Sequence, residues 1–332
     1  MTRRIIFVTG GAGFIGSNIV AKLAEDPSLD VVVCDWLHEA ELGKWRNIAK
    51  HPIGDFVAPE SMFEWLEKRW RDVELVVHMG AVSSTTEPDA DKIVHANFTL
   101  SRDLFRWCAD HQRRFVYASS AATYGDAVDF RDQDDVDSLA ALRPLNTYGW
   151  SKALFDLFAA RQAARDYAPP QWAGLKFFNV YGPNEEHKHS MKSVASQIWP
   201  KVRDGHAVQL FKSYREGVPD GGQTRDFVYV RDVADVVGWL AKNEQVSGIY
   251  NLGSGTARTF EDMAKAVFAA VDRPAEIEYT PMPPAIRDKY QYFTQAHMER
   301  LQAAGYNQPM TGLEEGVGDY VKRYLSQPDP YR

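Results

Sequence analysis

The chain has 332 residues and a formal net charge of −7. That length suits one large domain or two closely joined ones with a sizeable core. The charge gives no pull towards nucleic acid or an anionic membrane, and no apolar run approaches bilayer-spanning length. Its two cysteines, Cys34 and Cys108, form no C-x-x-C. A structural zinc site or disulfide framework is therefore not expected, and a reducing cytoplasm is the plain setting. Arg3-Arg4 runs straight into an apolar strand and a glycine turn, so neither a signal peptide nor a twin-arginine leader is expected.

Ile5-Ile6-Phe7-Val8 has the continuous apolar character of a strand buried on both faces. Gly10, Gly13 and Gly16 follow, and Ile15, Ile19, Val20 and Leu23 then recur at helical spacing. A second apolar run, Val31 to Cys34, ends in Asp35. Strand, glycine turn, helix, strand and acid in this order predict a dinucleotide site. Gly10 permits the tight turn, Gly13 the approach of a pyrophosphate, and Gly16 close helix–strand packing. The helix N-terminus offers its free N–H groups to the phosphates, and Asp35 can accept from the adenosine ribose.

Further along, a short helix is expected from Glu60 to Trp70 and a third strand from Glu74 to Met79. That strand opens into the loop Gly80 to Thr86, at the carboxyl end where parallel sheets bind ligands. Ile93 to Asp110 reads as a helix, Phe115 to Ala118 as a fourth strand ending in Ser119-Ser120, Tyr148 to Tyr167 as a helix, and Leu175 to Val180 as a strand. This alternation predicts an α/β, Rossmann-type, doubly wound parallel sheet. Beyond Asn179 we expect a helix at Val194 to Val202 despite Pro200, a polar loop from Arg215 to Thr224, a strand at Asp226 to Val230 and a helix at Val233 to Ala241. A strand at Ile249 to Leu252 leads into Gly253-Ser254-Gly255, and Thr259 with Asp262 reads as a capping box for a helix ending near Val271. The expected division is a dinucleotide-binding domain over 1–177, with returning segments at about 226–255 and 306–315. A smaller α/β substrate lobe takes 178–225 and 256–330.

Tyr148 and Lys152 lie four apart, on one helix face. A nearby ammonium lowers a phenol pKa from about 10 towards working pH. Tyrosine can then exchange a proton with an alcohol while hydride moves to a nicotinamide, with Ser120 bonded to the same oxygen. His187 and His189 flank Lys188, but no paired acid or cysteine accompanies them, so no metal is expected. Lys188 by position alone is a solvated loop lysine. Arg225 reads either as a structural ion pair or as a diphosphate clamp.

TGGAGFIG, YASSAATYG, YGWSK, FNVYGP and RDFVYVRDVAD together resemble the extended short-chain dehydrogenase/reductase superfamily, over nearly the whole chain. Sugar 4,6-dehydratases of that superfamily carry an acidic pair where Ala121-Ala122 stand here. GAVSSTTE, HKHSMKSVA and YQYFTQA resemble the ADP-glycero-manno-heptose 6-epimerase family, whose product feeds the inner core of lipopolysaccharide. The resemblance implies NADP (NAD possible), an ADP-heptose substrate, transient oxidation to a 6-keto sugar and a homo-oligomer. The alternative is another nucleotide-sugar epimerase or reductase, such as a UDP-hexose 4-epimerase. A non-catalytic dinucleotide sensor is disfavoured by the presence of Ser120, Tyr148 and Lys152.

Carried over residue by residue, the resemblance makes Tyr148 and Lys188 the two acid/base groups, Lys152 the partner of the tyrosine and Ser120 the hydroxyl donor. Cofactor positions are Gly10, Gly11, Gly13, Phe14, Ile15, Gly16, Asp35, Trp36, Lys44, Met79, Gly80, Ala81, Val82, Ser83, Asn97, Lys152, Val180 and Lys188. Substrate positions are Ser84, Asn179, Ser190, Gln197, Phe211, Lys212, Ser213, Tyr214, Arg225 and Tyr290. The chain departs from the family near Pro59, where a lysine for the 2′-phosphate is expected, and at Gln197, where a histidine is. Its Arg215–Thr224 loop is also long.

Overall fold

The structure is a computed structural model that describes residues 4–37, 43–85, 87–287 and 290–332, with backbone only at 285 and 286. Arg3 and Thr86 lie outside it. In chain order the elements are β1 (Arg4–Thr9), α1 (Phe14–Leu23), β2 (Leu29–Cys34), β3 (Asp55–Val57), α2 (Met62–Arg69), β4 (Val73–His78), α3 (Ala90–Ile93) and α4 (Leu100–Asp110). They continue with β5 (Arg114–Ser120), α5 (Val136–Ala140), α6 (Thr147–Ala163), β6 (Trp172–Phe177), β7 (Asn179–Tyr181), α7 (Val194–Arg203) and β8 (Val208–Phe211). The last are β9 (Thr224–Tyr229), α8 (Val230–Lys242), β10 (Gly248–Leu252), β11 (Ala257–Thr259), α9 (Phe260–Ala269), β12 (Ile277–Thr280), α10 (Pro284–Arg287), α11 (Glu299–Ala303) and α12 (Leu313–Tyr320).

Seven strands form one parallel sheet in the order β10-β6-β5-β4-β1-β2-β3, the Rossmann-type arrangement expected. The side chains of β1 alternate between its two faces. Ile6 and Val8 join a core with Ile19 and Val20 of α1 and Val233 and Val237 of α8. Ile5 and Phe7 join another with Leu66 of α2, Phe105 of α4 and Phe155 of α6. A sheet covered on both faces is why β1 reads as unbroken apolar sequence. Each fully buried side chain of this kind stabilises by about 1.5–3 kcal/mol.

The strand expected at Leu175–Val180 is in fact two. The Phe178 amide donates to the carbonyl of Leu252 at the end of β10 (3.1 Å), and the chain then leaves the large sheet. β7 pairs instead with β9, in a three-stranded sheet with β11. A further pair, β8 with β12, flanks it. Of the segments expected to return, β10 rejoins the large sheet, β9 does not, and residues 306–312 add no strand. The second half has its own core, with Trp199, Leu210, Phe227, Met263, Phe268 and Tyr320 among its members. The expected helix over Ile93–Asp110 is continuous but holds a π-turn at Val94–Thr99, which carries Asn97. Among the described residues no helix is long and apolar enough to cross a membrane.

Candidate active site

The site lies at the carboxyl ends of β1, β4 and β5. Gly10 takes φ +64°, and a side chain on Gly16 would collide with the Gly10 carbonyl, so the turn folds back only on glycine. Beyond Gly13, α1 begins with no side-chain cap and no acid in its first turn. Its leading amides are left for an external anion. A Cβ on Gly13 would meet only the Gly10 carbonyl, at 3.1 Å, so the approach to those amides stays open. Gly11, Phe14 and Ile15 complete the turn, with Phe14 buried and Ile15 partly buried.

Asp35 follows β2 and is buried. One carboxylate oxygen accepts from the Ala12 amide (2.9 Å), the other from the Trp36 amide (2.8 Å) and from Lys44 Nζ (2.6 Å). Lys44 also donates to the Trp36 carbonyl at 2.9 Å. Lys44, a cofactor position by the resemblance, is thus already paired with Asp35. Trp36 Nε1 donates to Glu60 (2.6 Å), which follows Pro59. Together, the open helix end and a carboxylate after β2 fit the pyrophosphate and ribose of a dinucleotide.

Met79, Gly80, Ala81, Val82, Ser83 and Ser84 form the loop after β4. Asn97, fully buried, accepts from the Val82 amide (2.8 Å) and donates to its carbonyl (3.0 Å) and to Ser151 Oγ (3.0 Å). Its amide braces the loop against α6. Beneath the loop, His78 bridges Thr9 Oγ1 (2.6 Å) and Ser101 Oγ (2.9 Å). Burial, then the charge of Lys152, pushes this imidazole down to about 3. It is neutral throughout the physiological range.

Ser120 ends β5, and Asn146 caps α6 by accepting from the Gly149 amide at 2.8 Å. A Cβ on Gly149 would strike the Ala122 carbonyl, so glycine there lets the first turn of α6 approach the turn after β5. That contact brings Tyr148 to Ser120. Burial raises the Tyr148 phenol, and a hydrogen bond with Ser120 pulls it back. Lys152 is buried and donates to the Ala118 carbonyl (2.8 Å). It is pushed down to about 8 by burial, against the opposing charge of Asp156. The sequence reading had Lys152 lowering the phenol. Here the ammonium is turned to a backbone carbonyl, and burial wins over it.

Lys188 lies in the turn after β7, half-buried, with Nζ 5.1 Å from the centroid of the Phe14 ring. Burial lowers its pKa, against the charge of Glu185. Next to it, His187 Nδ1 meets Asn47 Nδ2 at 3.2 Å, and the same Asn47 amide donates to the Ala12 carbonyl at 2.8 Å. Burial, then Lys44 and Lys188, push His187 down to about 4. His189 takes φ +48°, ψ −122°, outside the regions a side chain favours.

Arg225, on β9, is buried between the rings of Phe260 (5.5 Å) and Tyr290 (5.3 Å), and donates to the Thr224 carbonyl at 2.8 Å. Among the described residues no carboxylate ion-pairs with it. Within them its contacts are aromatic rings and a backbone carbonyl rather than a carboxylate. Phe211 stacks edge-on against Tyr290 (6.4 Å), and Arg287 lies 3.8 Å from the Tyr214 ring. Asp220 holds the Ser213 amide at 2.7 Å, while Lys212 is exposed beside them. Gln197, Ser190 and Asn179 are exposed, with Gln197 donating to the carbonyls of Ser190 (3.2 Å) and Lys192 (2.6 Å), and Val180 is partly buried in β7.

Two features escaped the sequence. Asn47, which ties the glycine turn to His187, gives no local signal. The Asp156–Lys176 pair was not picked out either, although the first falls four residues after Lys152 on α6 and the second is a lone charge within the apolar run of β6. A cleft of about 710 Å³ lies at the opposite, amino-terminal ends of the strands. Two of its four arginines are ion-paired there, Arg4 with Glu74 (3.2 Å) and Arg114 with Glu74 and Glu244 (3.8 Å). Among the described residues no group of three or more metal-ligating side chains gathers.

Residues 6–253 match the model of the NAD dependent epimerase/dehydratase family. The chain is 46% identical over 328 residues to the ADP-L-glycero-D-manno-heptose-6-epimerase of Nitratidesulfovibrio vulgaris strain DP4, covering 98% of this chain and 99% of that one. It is 43% identical over 336 residues to the enzyme of that name from Fusobacterium nucleatum subsp. nucleatum, covering 98% and 100%. Among solved structures, the Helicobacter pylori enzyme of the same name superposes with a TM-score of 0.80 at 28% identity, over 97% of this chain and 96% of that one. The Thermus thermophilus UDP-glucose 4-epimerase, solved with NAD, gives 0.70 at 28% identity, over 95% and 96%. On this identity and coverage the chain belongs to the NAD dependent epimerase/dehydratase family, among the ADP-L-glycero-D-manno-heptose-6-epimerases.

Proposed function

We propose that this chain interconverts ADP-D-glycero-D-manno-heptose and ADP-L-glycero-D-manno-heptose, by oxidising C6 to a ketone and reducing it again on the opposite face. The observation that supports the reading is a phenol hydrogen-bonded to Ser120 at the carboxyl end of β5, with a lysine amine, Lys188, over Phe14 at the start of α1. A bound nicotinamide dinucleotide supplies hydride removal and return. The residues that would hold it are the glycine turn and the first amides of α1 at the pyrophosphate, Asp35 at the ribose, and the Met79–Ser83 loop and Lys152 further in. NADP is the proposed form, with NAD admitted and the preference modest, because Lys44 is shared with Asp35.

The chain's own groups handle the proton at the C6 oxygen. Ser120 fixes that oxygen by a hydrogen bond. Environments that shift two titratable groups in opposite senses assign acid and base. Tyr148, raised, rests protonated as the acid, and Lys188, lowered, is the readier base. Arg225, a buried cation with no carboxylate partner among the described residues, suits the substrate diphosphate, with Tyr290 and Phe211 beside it. Three further parts of the proposal rest on the resemblance and the sequence: a cytoplasmic setting, a homo-oligomer, and a lobe of residues 178–225 and 256–330 closing over residues 1–177. The test is incubation with ADP-D-glycero-D-manno-heptose, following the C6 proton by NMR. Appearance of the C6 epimer is expected. Conversion of UDP-glucose to UDP-galactose, with the heptose untouched, overturns the reading.

A further inference from the structure

Behind the tyrosine and lysine of α6 lies an ion pair that the reaction itself does not use. Asp156 and Lys176 are 0% and 1% exposed, with Nζ 2.7 Å from the carboxylate. Tyr117 (3.0 Å) and Ser119 (2.7 Å), both on β5, donate to that carboxylate. Lys176 Nζ also donates to Thr123 Oγ1 (2.7 Å), and Thr123 donates to the carbonyl of Ser120 (2.8 Å). β5 and β6 are in register here, Ser119 opposite Lys176. One pair therefore ties α6, β5, β6 and the turn after β5 together, one helical turn from Lys152 and one residue from Ser120.

Such a pair is a poor source of stability. Apolar side chains of similar volume commonly fill such a space with equal or better stability, because both ions must be stripped of water. Its partners instead lead to the site: Asp156 is one turn from Lys152, Ser119 adjoins Ser120, and Thr123 holds the Ser120 carbonyl. We propose that Asp156–Lys176 is a positioning pair for the reaction, fixing Ser120, Tyr148 and Lys152 in one geometry and placing a negative charge behind Lys152. This rests on the reading of those three residues as the proton-handling group. The titratable groups around Lys152 are His78 on β4, Tyr117 on β5, Tyr148 and Asp156 on its own helix, and Lys176 on β6. Burial drives Lys152 down to about 8, and the Asp156 carboxylate opposes that fall.

The test uses the full chain with its bound nucleotide, labelled with 13C at lysine Cε. The Lys152 signal is identified by its loss in Lys152→Met. In Asp156→Asn the Lys152 midpoint and the alkaline limb of the pH–rate profile should fall together, by about one pH unit. Lys176→Met, which leaves the carboxylate without its cation, should move both the other way. Should a single variant fail to fold, the double variant Asp156→Asn/Lys176→Met leaves no buried unpaired charge and should show the downward shift. A folded Asp156→Asn or double variant with an unmoved Lys152 midpoint, its rate lowered equally at every pH, overturns the proposal. Tyr148→Phe, run alongside, tests the underlying reading: if it stays active that reading fails, whatever the Lys152 signal does.

Discussion

The ammonium of Lys188 rests 5.1 Å from the centroid of the Phe14 ring, at the first residue of α1, and the residue after it, His189, is held at φ +48°. Backbone strain of this kind costs about 1–3 kcal/mol and persists where surrounding contacts enforce it. His189→Gly removes the strain, less about 0.5–1 kcal/mol for the added freedom of the unfolded chain. The expected outcome is a stability gain of up to about 2 kcal/mol in chemical denaturation, with a lower kcat because the Lys188 turn is loosened. A variant that is less stable than the parent would show that His189 is not strained in solution.

Lys44 is the subject of the second prediction. Its Nζ lies 2.6 Å from Asp35, so Lys44→Ala acts twice: it removes a cation near the ribose and frees the carboxylate. NADP should lose affinity by the worth of one charge-assisted bond, about 1.5–3 kcal/mol or at least tenfold, while NAD holds or gains. Dissociation constants of both nucleotides, measured by quenching of tryptophan fluorescence, check this. Equal loss for NAD and NADP would show that Lys44 does not read the phosphate.

Much of the architecture was legible because two periodicities are explicit in the sequence. The unbroken apolar run of β1 and the helical spacing after Gly16 can hardly be satisfied except by a doubly covered sheet. β3 was missed because it is three residues long, with Asp55 and Phe56 exposed at the sheet edge. The hand-over at Phe178 was missed because one amide bond to Leu252, distant in sequence, decides it. At the site, the residue types were legible but their pairings were not. Lys44 reads as a cofactor contact, and only the structure shows that Asp35 already holds it. Arg225 reads either as half of an ion pair or as a diphosphate clamp, and its described neighbours are aromatic rings.

Those rings carry the third prediction. Arg225 is buried and stacks near Phe260 and Tyr290, so Arg225→Ala opens a small space and strands no carboxylate among the described residues. The fold should survive, with near-ultraviolet circular dichroism unchanged. KM for the nucleotide sugar should rise tenfold or more, the worth of about 1.5–3 kcal/mol of charged hydrogen bonding. Arg225→Lys should recover only part of this, because an ammonium lacks the planar two-point grip. A variant with unchanged KM would remove Arg225 from the substrate.

His78 makes stability depend on pH. Its folded pKa is about 3 against an unfolded value near 6.5, so the unfolded chain binds the extra proton as pH falls. The contribution is fully present above about pH 6.5 and is lost progressively down towards pH 3. Between pH 7 and 5 that amounts to about 2 kcal/mol. His187, pushed down to about 4, acts in the same direction. Urea midpoints should therefore drop across this interval, and His78→Asn, less stable at neutral pH, should show a visibly shallower slope. An unchanged slope would mean that His78 titrates normally in the folded chain.

The last prediction concerns the two proton-transfer groups. Epimerisation by redox needs hydride to leave one face of C6 and return to the other. A 6-ketone is planar, and rotation about the C5–C6 bond turns its other face to the same nicotinamide, but this carries the C6 oxygen to a new place. Tyr148 is anchored by Ser120 on a helix start clamped against Ala122, and so is poorly able to follow it. Lys188 stands on a different turn, after β7, with its pKa lowered by burial, and can meet the oxygen at the second position. Tyr148→Phe and Lys188→Met should each cut epimerisation by about 10²–10⁴ while leaving the dinucleotide bound. A substrate analogue with an aldehyde at C6 separates the roles, because its reduction and oxidation need no rotation, and each variant should keep the half-reaction served by its surviving group. If Lys188→Met epimerises at near-normal rate, Tyr148 must reach both oxygen positions and the two-group reading is wrong.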